Sequence, residues 1–326
     1  MEENITMIKY DFTYPSSNCK TNIHAIICYP KSGQYNRIIQ IIHGKREYIE
    51  RYLNFMEYLT TKGFITVGHD HLGHGQSINT KEDLGYIGET NPNELLIKDI
   101  HTLRTLIQKK FPNFPYFILG HSMGSFLLRE YISLCGNDLA GAIILGTEHK
   151  NKYKVTLGLR LCEIISCFKG NEYKSKFIDN LSKGKNFEKF DMTKTDIYKS
   201  HITSDPLMAK QYNEDQKRNF DFSLNAYIGL FDAIIYSCDQ NNINKINKDL
   251  PILFVSGGDD PVGNFGKGVK TSYEMFKKAG IKDVIMKLYE KDRHEVLNEV
   301  NREEVFEYIK NWIDERTLLY KENKRY

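Results

Sequence analysis

The sequence predicts an α/β fold: a mostly parallel, eight-stranded sheet with helices on both faces and a helical cap inserted between two core strands. Three observations carry this. Short runs rich in Ile, Val, Leu and Phe alternate with longer stretches of helical periodicity. The central runs are almost continuously apolar, as strands covered on both faces require. Residues 150–248 show no convincing strand pattern, and about 100 residues is too long for a structureless loop in a compact domain.

Element by element, 7–14 and 22–29 read as strands joined through Pro15-Ser16-Ser17-Asn18, an antiparallel hairpin at one sheet edge. Further strands are expected at 37–42, 64–68, 116–119, 140–145, 252–255 and 284–288. Helices are expected at 47–62, 94–110, 123–134, 269–279 and 299–313, each after a strand as a crossover connection requires. Within 150–248, Leu157, Leu161, Ile164, Ile165 and Phe168 share one helical face, and Leu224, Ile228, Phe231, Ile234 and Ile235 share another. Both faces are expected to turn toward the site. The division is therefore a core of 1–149 and 249–326 with 150–248 as cap.

At 326 residues the chain can bury a core without disulfide or metal staples. Its 45 Lys and Arg against 42 Asp and Glu leave a net charge of +3, which argues against a nucleic-acid binder. No apolar stretch approaches the roughly 18 residues of a membrane span. Met1-Glu2-Glu3-Asn4 lacks the basic and apolar regions of a signal peptide. The six cysteines (19, 28, 135, 162, 167 and 238) stand singly and read as small buried apolar residues in a reducing compartment. A cytoplasmic location is the expectation.

Gly120-His121-Ser122-Met123-Gly124 is a G-x-S-x-G sequence between an expected strand and an expected helix. A serine nucleophile at such a turn sits on strained backbone, and the residues two before and two after it must be small. Gly120 and Gly124 supply that room. Where Ser sits at such an elbow, its partners follow in the order acid, then His. His294 is the only histidine after residue 201. The acid should follow the strand at 252–255, where both Asp259 and Asp260 are candidates; Pro261 biases Asp260 to extended backbone. An oxyanion hole would take its N–H groups from Met123 and from Lys45, in the turn that Gly44 permits after strand 37–42.

These segments resemble the monoacylglycerol lipase and lysophospholipase branch of the α/β-hydrolase family. The resemblance rests on His43-Gly44 with Glu47 and Arg51-Tyr52, on Asp70-His71-Leu72-Gly73-His74-Gly75-Gln76-Ser77, on Gly120 to Gly124, and on Gly257-Gly258-Asp259-Asp260 with His294. It implies an α/β-hydrolase fold, selects Asp260 as the triad acid, and implies a serine esterase acting on a small lipid-like acyl ester without a cofactor. Transient contact with lipid surfaces is compatible with it. Aminopeptidase or thioesterase chemistry on the same triad, and a catalytically silent ligand-binding member, are the alternatives. Two positions depart from the family pattern: Tyr48 stands where His is usual, and Lys45 where a small or apolar residue is usual. The Lys45 side chain either lies at the mouth of the site, where it could attract a phosphate-bearing leaving group, or points to solvent.

His69, Asp70, His71 and His74 could suggest zinc, but the segment fits the family's loop better, and no metal is expected. Gly263-Asn264-Phe265-Gly266-Lys267-Gly268 fails as a phosphate loop, because Pro261 replaces the first Gly and Gly268 the Ser or Thr.

Overall fold

The computed structural model describes residues 7–182, 185–191 and 195–323. Its strands are β1 (Met7–Pro15), β2 (Asn22–Pro30), β3 (Arg37–Ile42), β4 (Phe64–His69), β5 (Tyr116–His121), β6 (Gly141–Leu145), β7 (Ile252–Gly257) and β8 (Val284–Tyr289). They form one sheet in the order β1-β2-β4-β3-β5-β6-β7-β8. β2 runs antiparallel to both β1 and β4, and every other pairing is parallel. The chain therefore has the α/β-hydrolase architecture, with the expected hairpin at one edge.

The helices are α1 (Leu53–Thr61), α2 (Pro92–Lys110), α3 (Met123–Cys135), α4 (Lys152–Lys169), α5 (Lys176–Ser182), α6 (Pro206–Glu214), α7 (Leu224–Ser237), α8 (Gln240–Ile243), α9 (Lys267–Lys278) and α10 (Arg302–Asn323). Phe55 of α1 and Phe306, Ile309 and Trp312 of α10 cover one face of the sheet. Ile100 of α2, Leu127 of α3 and Phe276 of α9 cover the other. With both faces covered, β3 to β7 are buried almost throughout, which explains their unbroken apolar sequence.

Some boundaries differ from expectation. The helix expected at 47–62 starts later, with a 3₁₀ turn at Ile49–Tyr52 leading into α1. The last helix is longer than expected and runs to Asn323. Cys28, Cys162 and Cys238 are buried, but Cys19 and Cys167 are exposed.

The β6–β7 connection carries α4 to α8 and, among the described residues, no strand. Its two apolar faces behave differently. Leu224, Phe231 and Ile234 of α7 are buried, and α7 packs on α2, α3 and α4. On α4 the buried side chains are Val155, Leu159 and Cys162. Leu157, Ile164 and Phe168 of the expected inward face are exposed, Phe168 at 83%. The expectation that the whole face turns toward the site is thus corrected: Leu161 and Ile165 are partly buried against the core, the other three lie outward, and α7 meets α4 through Gly158, which faces the Phe231 ring.

The chain leaves β3 first to β4 on one side and then to β5 on the other, so the sheet order switches there, the place where open α/β sheets form clefts at their carboxyl ends. Ile42 pairs with Gly120 and His121 with Leu145, so the turns after β3, β5 and β6 emerge side by side.

Candidate active site

Ser122 occupies the turn between β5 and α3 with φ 53° and ψ −118°, a backbone conformation that L-residues seldom adopt. Its N–H donates to Leu145 O at 3.1 Å, which pins the turn to β6. The flanking glycines are required by close approach. A Cβ on Gly120 would lie 2.3 Å from Gly124 O, and one on Gly124 would lie 2.2 Å from Ile42 O.

The turns after β7 and β8 bring in the two expected partners. His294 Nε2 is 2.9 Å from Ser122 Oγ, and His294 Nδ1 is 3.0 Å from Asp260 Oδ2. Asp260 is fully buried, and its other oxygen accepts the Val262 N–H at 2.8 Å. Burial alone would push the His294 pKa down. The Asp260 charge and hydrogen bond, with Glu295 and Glu47 beyond, outweigh it and raise the pKa to about 9. Asp259, the other candidate, instead pairs with Lys189 at the surface.

The turn after β3 lies against the serine: a Cβ on Gly44 would come within 3.0 Å of Ser122 Cβ. Gly44 is held from both sides. Its N–H donates to Glu47 Oε2 at 3.2 Å, and its C=O accepts from His43 Nδ1 at 2.8 Å. His43 Nε2 accepts the His71 N–H at 2.9 Å, so the proton must sit on Nδ1. Burial, reinforced by His74, keeps the His43 pKa well below its ordinary value, so the ring stays neutral. A trans peptide is planar, so fixing the Gly44 carbonyl also fixes the Lys45 N–H on the opposite side. The second expected donor, Met123 N–H, opens α3, where first-turn N–H groups have no intrahelical acceptor and the helix dipole favours negative charge.

The histidine-rich segment after β4 is thus scaffolding for this turn. Among the described residues no group of three or more His, Cys, Asp or Glu is arranged to hold a metal. Asp70 accepts the backbone N–H groups of Ile49 and Gln76 and pairs with His24.

Several residues bear on the site that sequence reasoning gave no role. Tyr52 donates its hydroxyl proton to Glu47 Oε2 at 2.6 Å and accepts from His121 Nδ1 at 2.9 Å. Burial pushes the Glu47 carboxyl up, but His121 and Arg51 hold it well below the usual carboxylate range. Arg51 pairs with Glu295 at 2.6 Å. This buried network joins the turn after β3, the serine elbow and the His294 loop. Glu47, Arg51 and Tyr52 belong to the segment that carries the family resemblance, whereas Glu295 is marked in sequence only by its place beside His294.

The Lys45 side chain is held by the β6–β7 connection instead of pointing to open solvent. Nζ donates to Tyr227 OH at 2.8 Å and lies 3.6 Å from Asp179 Oδ1 and 5.1 Å from the centre of the Phe222 ring. Arg46 pairs with Asp221 at 2.5 Å.

Residues 33–301 match the family model described as serine aminopeptidase, S33. The chain belongs to this hydrolase family. A monoglyceride lipase homolog of monkeypox virus is 31% identical over 140 residues, 40% of this chain and 46% of that one. The match thus spans less than half of the viral relative. The human monoglyceride lipase is 23% identical over 88% of this chain and 85% of its own. Among solved structures, a thermostable carboxyl esterase from Bacillus coagulans superposes with TM-score 0.87 at 29% identity, over 96% of this chain and 100% of that one. Among the described residues of this family member, no helix is long and apolar enough to cross a membrane.

Proposed function

We propose that the protein is a serine hydrolase of carboxylic esters with Ser122, His294 and Asp260 as its triad. The observation that carries this reading is the 2.9 Å approach of His294 Nε2 to Ser122 Oγ, with Asp260 on the far side of the ring. His294 takes the hydroxyl proton as Ser122 Oγ attacks the acyl carbonyl, while Asp260 holds Nδ1–H toward itself and stabilises the imidazolium. The N–H groups of Met123 and Lys45 receive the oxyanion. His294 then protonates the leaving alkoxide, and an acyl-Ser122 intermediate remains. Water deprotonated by the same imidazole attacks it and releases the carboxylic acid.

The substrate in this reading is a lipid-like acyl ester with a neutral leaving group, a monoacylglycerol before a lysophospholipid. Two observations support that order. Lys45 and Arg46 already face the carboxylates of Asp179 and Asp221, so this pair of cations offers little net attraction to a phosphate. The relatives named as monoglyceride lipases point the same way. Residues 150–248 act as the cap over the site. The exposed apolar arc of α4 (Tyr153, Leu157, Ile164 and Phe168) supports transient contact with lipid surfaces.

The deciding experiment is hydrolysis of a panel of equal acyl length: monoacylglycerol, lysophospholipid, acyl-CoA and aminoacyl amide. Preferential turnover of the monoacylglycerol is expected. Turnover of the amide or thioester alone would overturn the ester reading.

A further inference from the structure

The loop that presents His294 is strapped to a stretch of the helical insertion almost entirely through backbone groups. The Arg293 guanidinium places Nη1, with its two N–H groups, among three carbonyls of residues 198–203: Tyr198 O at 3.1 Å, Ser200 O at 2.5 Å and Thr203 O at 3.2 Å. The adjacent backbone pairs directly with the same stretch. His294 N–H donates to His201 O at 3.4 Å, and Glu295 N–H donates to Ile202 O at 2.7 Å. Glu299, which is fully buried, closes the structure from below. One carboxylate accepts the Arg293 N–H at 2.7 Å and the Ser204 N–H at 2.9–3.0 Å, together with the Ser204 hydroxyl.

We propose that Arg293 is a positioning residue: by gathering the carbonyls of residues 198–203 it holds the insertion against the His294 loop and fixes the imidazole between Ser122 and Asp260. This rests on the triad reading given above and adds to it a residue that touches neither substrate nor the reacting atoms. The argument is one of donors and acceptors. The three carbonyls share the two N–H groups of one guanidinium nitrogen, Nη1, and no carboxylate among the contacts competes for it. Without Arg293 those carbonyls turn to water, and the His294 loop keeps its two backbone bonds to the insertion, one of them long, with the Glu299 bridge to Ser204 and the Thr203 hydroxyl on Asn298 O beyond it.

The consequence for the imidazole is specific. The groups facing His294 are Asp260, Glu295, Glu47 and Glu148, with the His121 ring centre 4.9 Å away. Asp260 makes the direct bond and supplies the largest of the upward influences. A loosened loop weakens that contact first, so the imidazole becomes easier to deprotonate at the same time as it loses its aim at Ser122.

The test compares wild type with Arg293→Met, which keeps most of the apolar stem, and Arg293→Lys, whose ammonium offers three donors on a shorter reach. All three are assayed on a p-nitrophenyl ester across pH, with fluorophosphonate labelling of Ser122 alongside. For Arg293→Met, kcat is expected to fall on the order of 10–100-fold with KM little changed, because small misplacements of a catalytic group cost about that much. The acid limb of the kcat profile should move to lower pH by about half a unit or more. Arg293→Lys should fall between the two in both measurements. Lower thermal stability with kcat and the acid limb both at wild-type values would overturn the proposal, since a purely structural contact predicts that pattern. Should Arg293→Met not fold, Arg293→Lys decides alone, and wild-type kcat and limb in it would overturn the proposal. Failure of the wild type itself to label or turn over ester would instead overturn the triad reading.

Discussion

Replacing Asp260 by Asn keeps the shape of the proposed triad acid and removes its charge. In the native site Asp260 Oδ2 lies 3.0 Å from His294 Nδ1, and Oδ1 is committed to the Val262 N–H. An Asn that keeps its oxygen on Val262 N–H must point its NH₂ at the imidazole. Nδ1 then becomes the acceptor and the proton moves to Nε2, the atom that should receive the Ser122 proton. A second loss is electrostatic. The His294 pKa is raised from 6.5 to about 9 against the pull of burial, so the carboxylates around it favour the imidazolium by at least roughly 3 kcal/mol at 1.36 kcal/mol per unit. Losing most of that stabilisation costs about two orders of magnitude in rate. With the wrong tautomer added, the total loss in kcat should approach about 10⁴-fold. The acid limb of kcat should also move: it is expected alkaline of 6.5 in the wild type, and burial without the Asp260 charge should draw it to lower pH. Steady-state turnover of a p-nitrophenyl ester from pH 5 to 10 measures both. A kcat loss under tenfold, or an acid limb that stays in place, would refute the assignment of Asp260. Asp259→Asn is the control: its partner Lys189 is half exposed, and such surface pairs contribute only about 0–1 kcal/mol, so activity should stay within a fewfold of wild type.

Four further outcomes are expected. Gly124→Ala should lower unfolding free energy by about 1–3 kcal/mol and remove most activity, because the new methyl meets Ile42 O at 2.2 Å; a wild-type urea midpoint would contradict the close packing behind the elbow. Lys45→Met, which keeps the backbone donor, should change kcat/KM on monoacylglycerol and lysophospholipid of equal acyl length by the same factor, since Asp179 already answers the charge; a salt-sensitive loss confined to the anionic substrate would reverse the substrate order. The values of kcat/KM should rise with acyl length by about 0.8 kcal/mol, roughly fourfold, per methylene until the pocket is full, whereas a flat profile from acetate to decanoate would remove the lipid-like substrate. Leu157→Glu with Phe168→Glu should weaken sedimentation with phospholipid vesicles while leaving turnover of p-nitrophenyl butyrate unchanged, because both side chains lie exposed on α4; equal vesicle binding would dismiss that arc as a lipid contact.

The strands could be read from the sequence because a parallel sheet covered on both faces needs continuous apolar runs, and β3, β4, β5 and β7 are buried along their whole length or nearly so. The start of α1 was harder to place: Ile49–Tyr52 is apolar at helical spacing, yet Asp70 caps the Ile49 N–H and the chain makes a 3₁₀ turn there. On α4, leucines at 157, 159 and 161 place apolar surface around more than one arc. Periodicity cannot choose between the arcs, and the packing of α7 on α4 makes the choice. At the site, Ser122, Asp260 and His294 were marked by local requirements of the turns that hold them, and the structure brings all three together. The network around them left little trace. Arg51 and Glu295 are 244 residues apart in sequence, and the acceptors that Arg293 gathers are main-chain carbonyls, which every sequence possesses.

The proposed role of Ser122 is tested most directly by trapping the intermediate it should form. The purified protein is mixed with a short-chain p-nitrophenyl ester, quenched in acid within the first turnovers, and digested for peptide mass spectrometry. The account predicts one acyl group, attached to Ser122, with a matching burst of p-nitrophenol; Ser122→Ala should show neither while retaining its folded circular dichroism signal. Acylation at another residue, or steady turnover by Ser122→Ala at a rate near wild type, would contradict it.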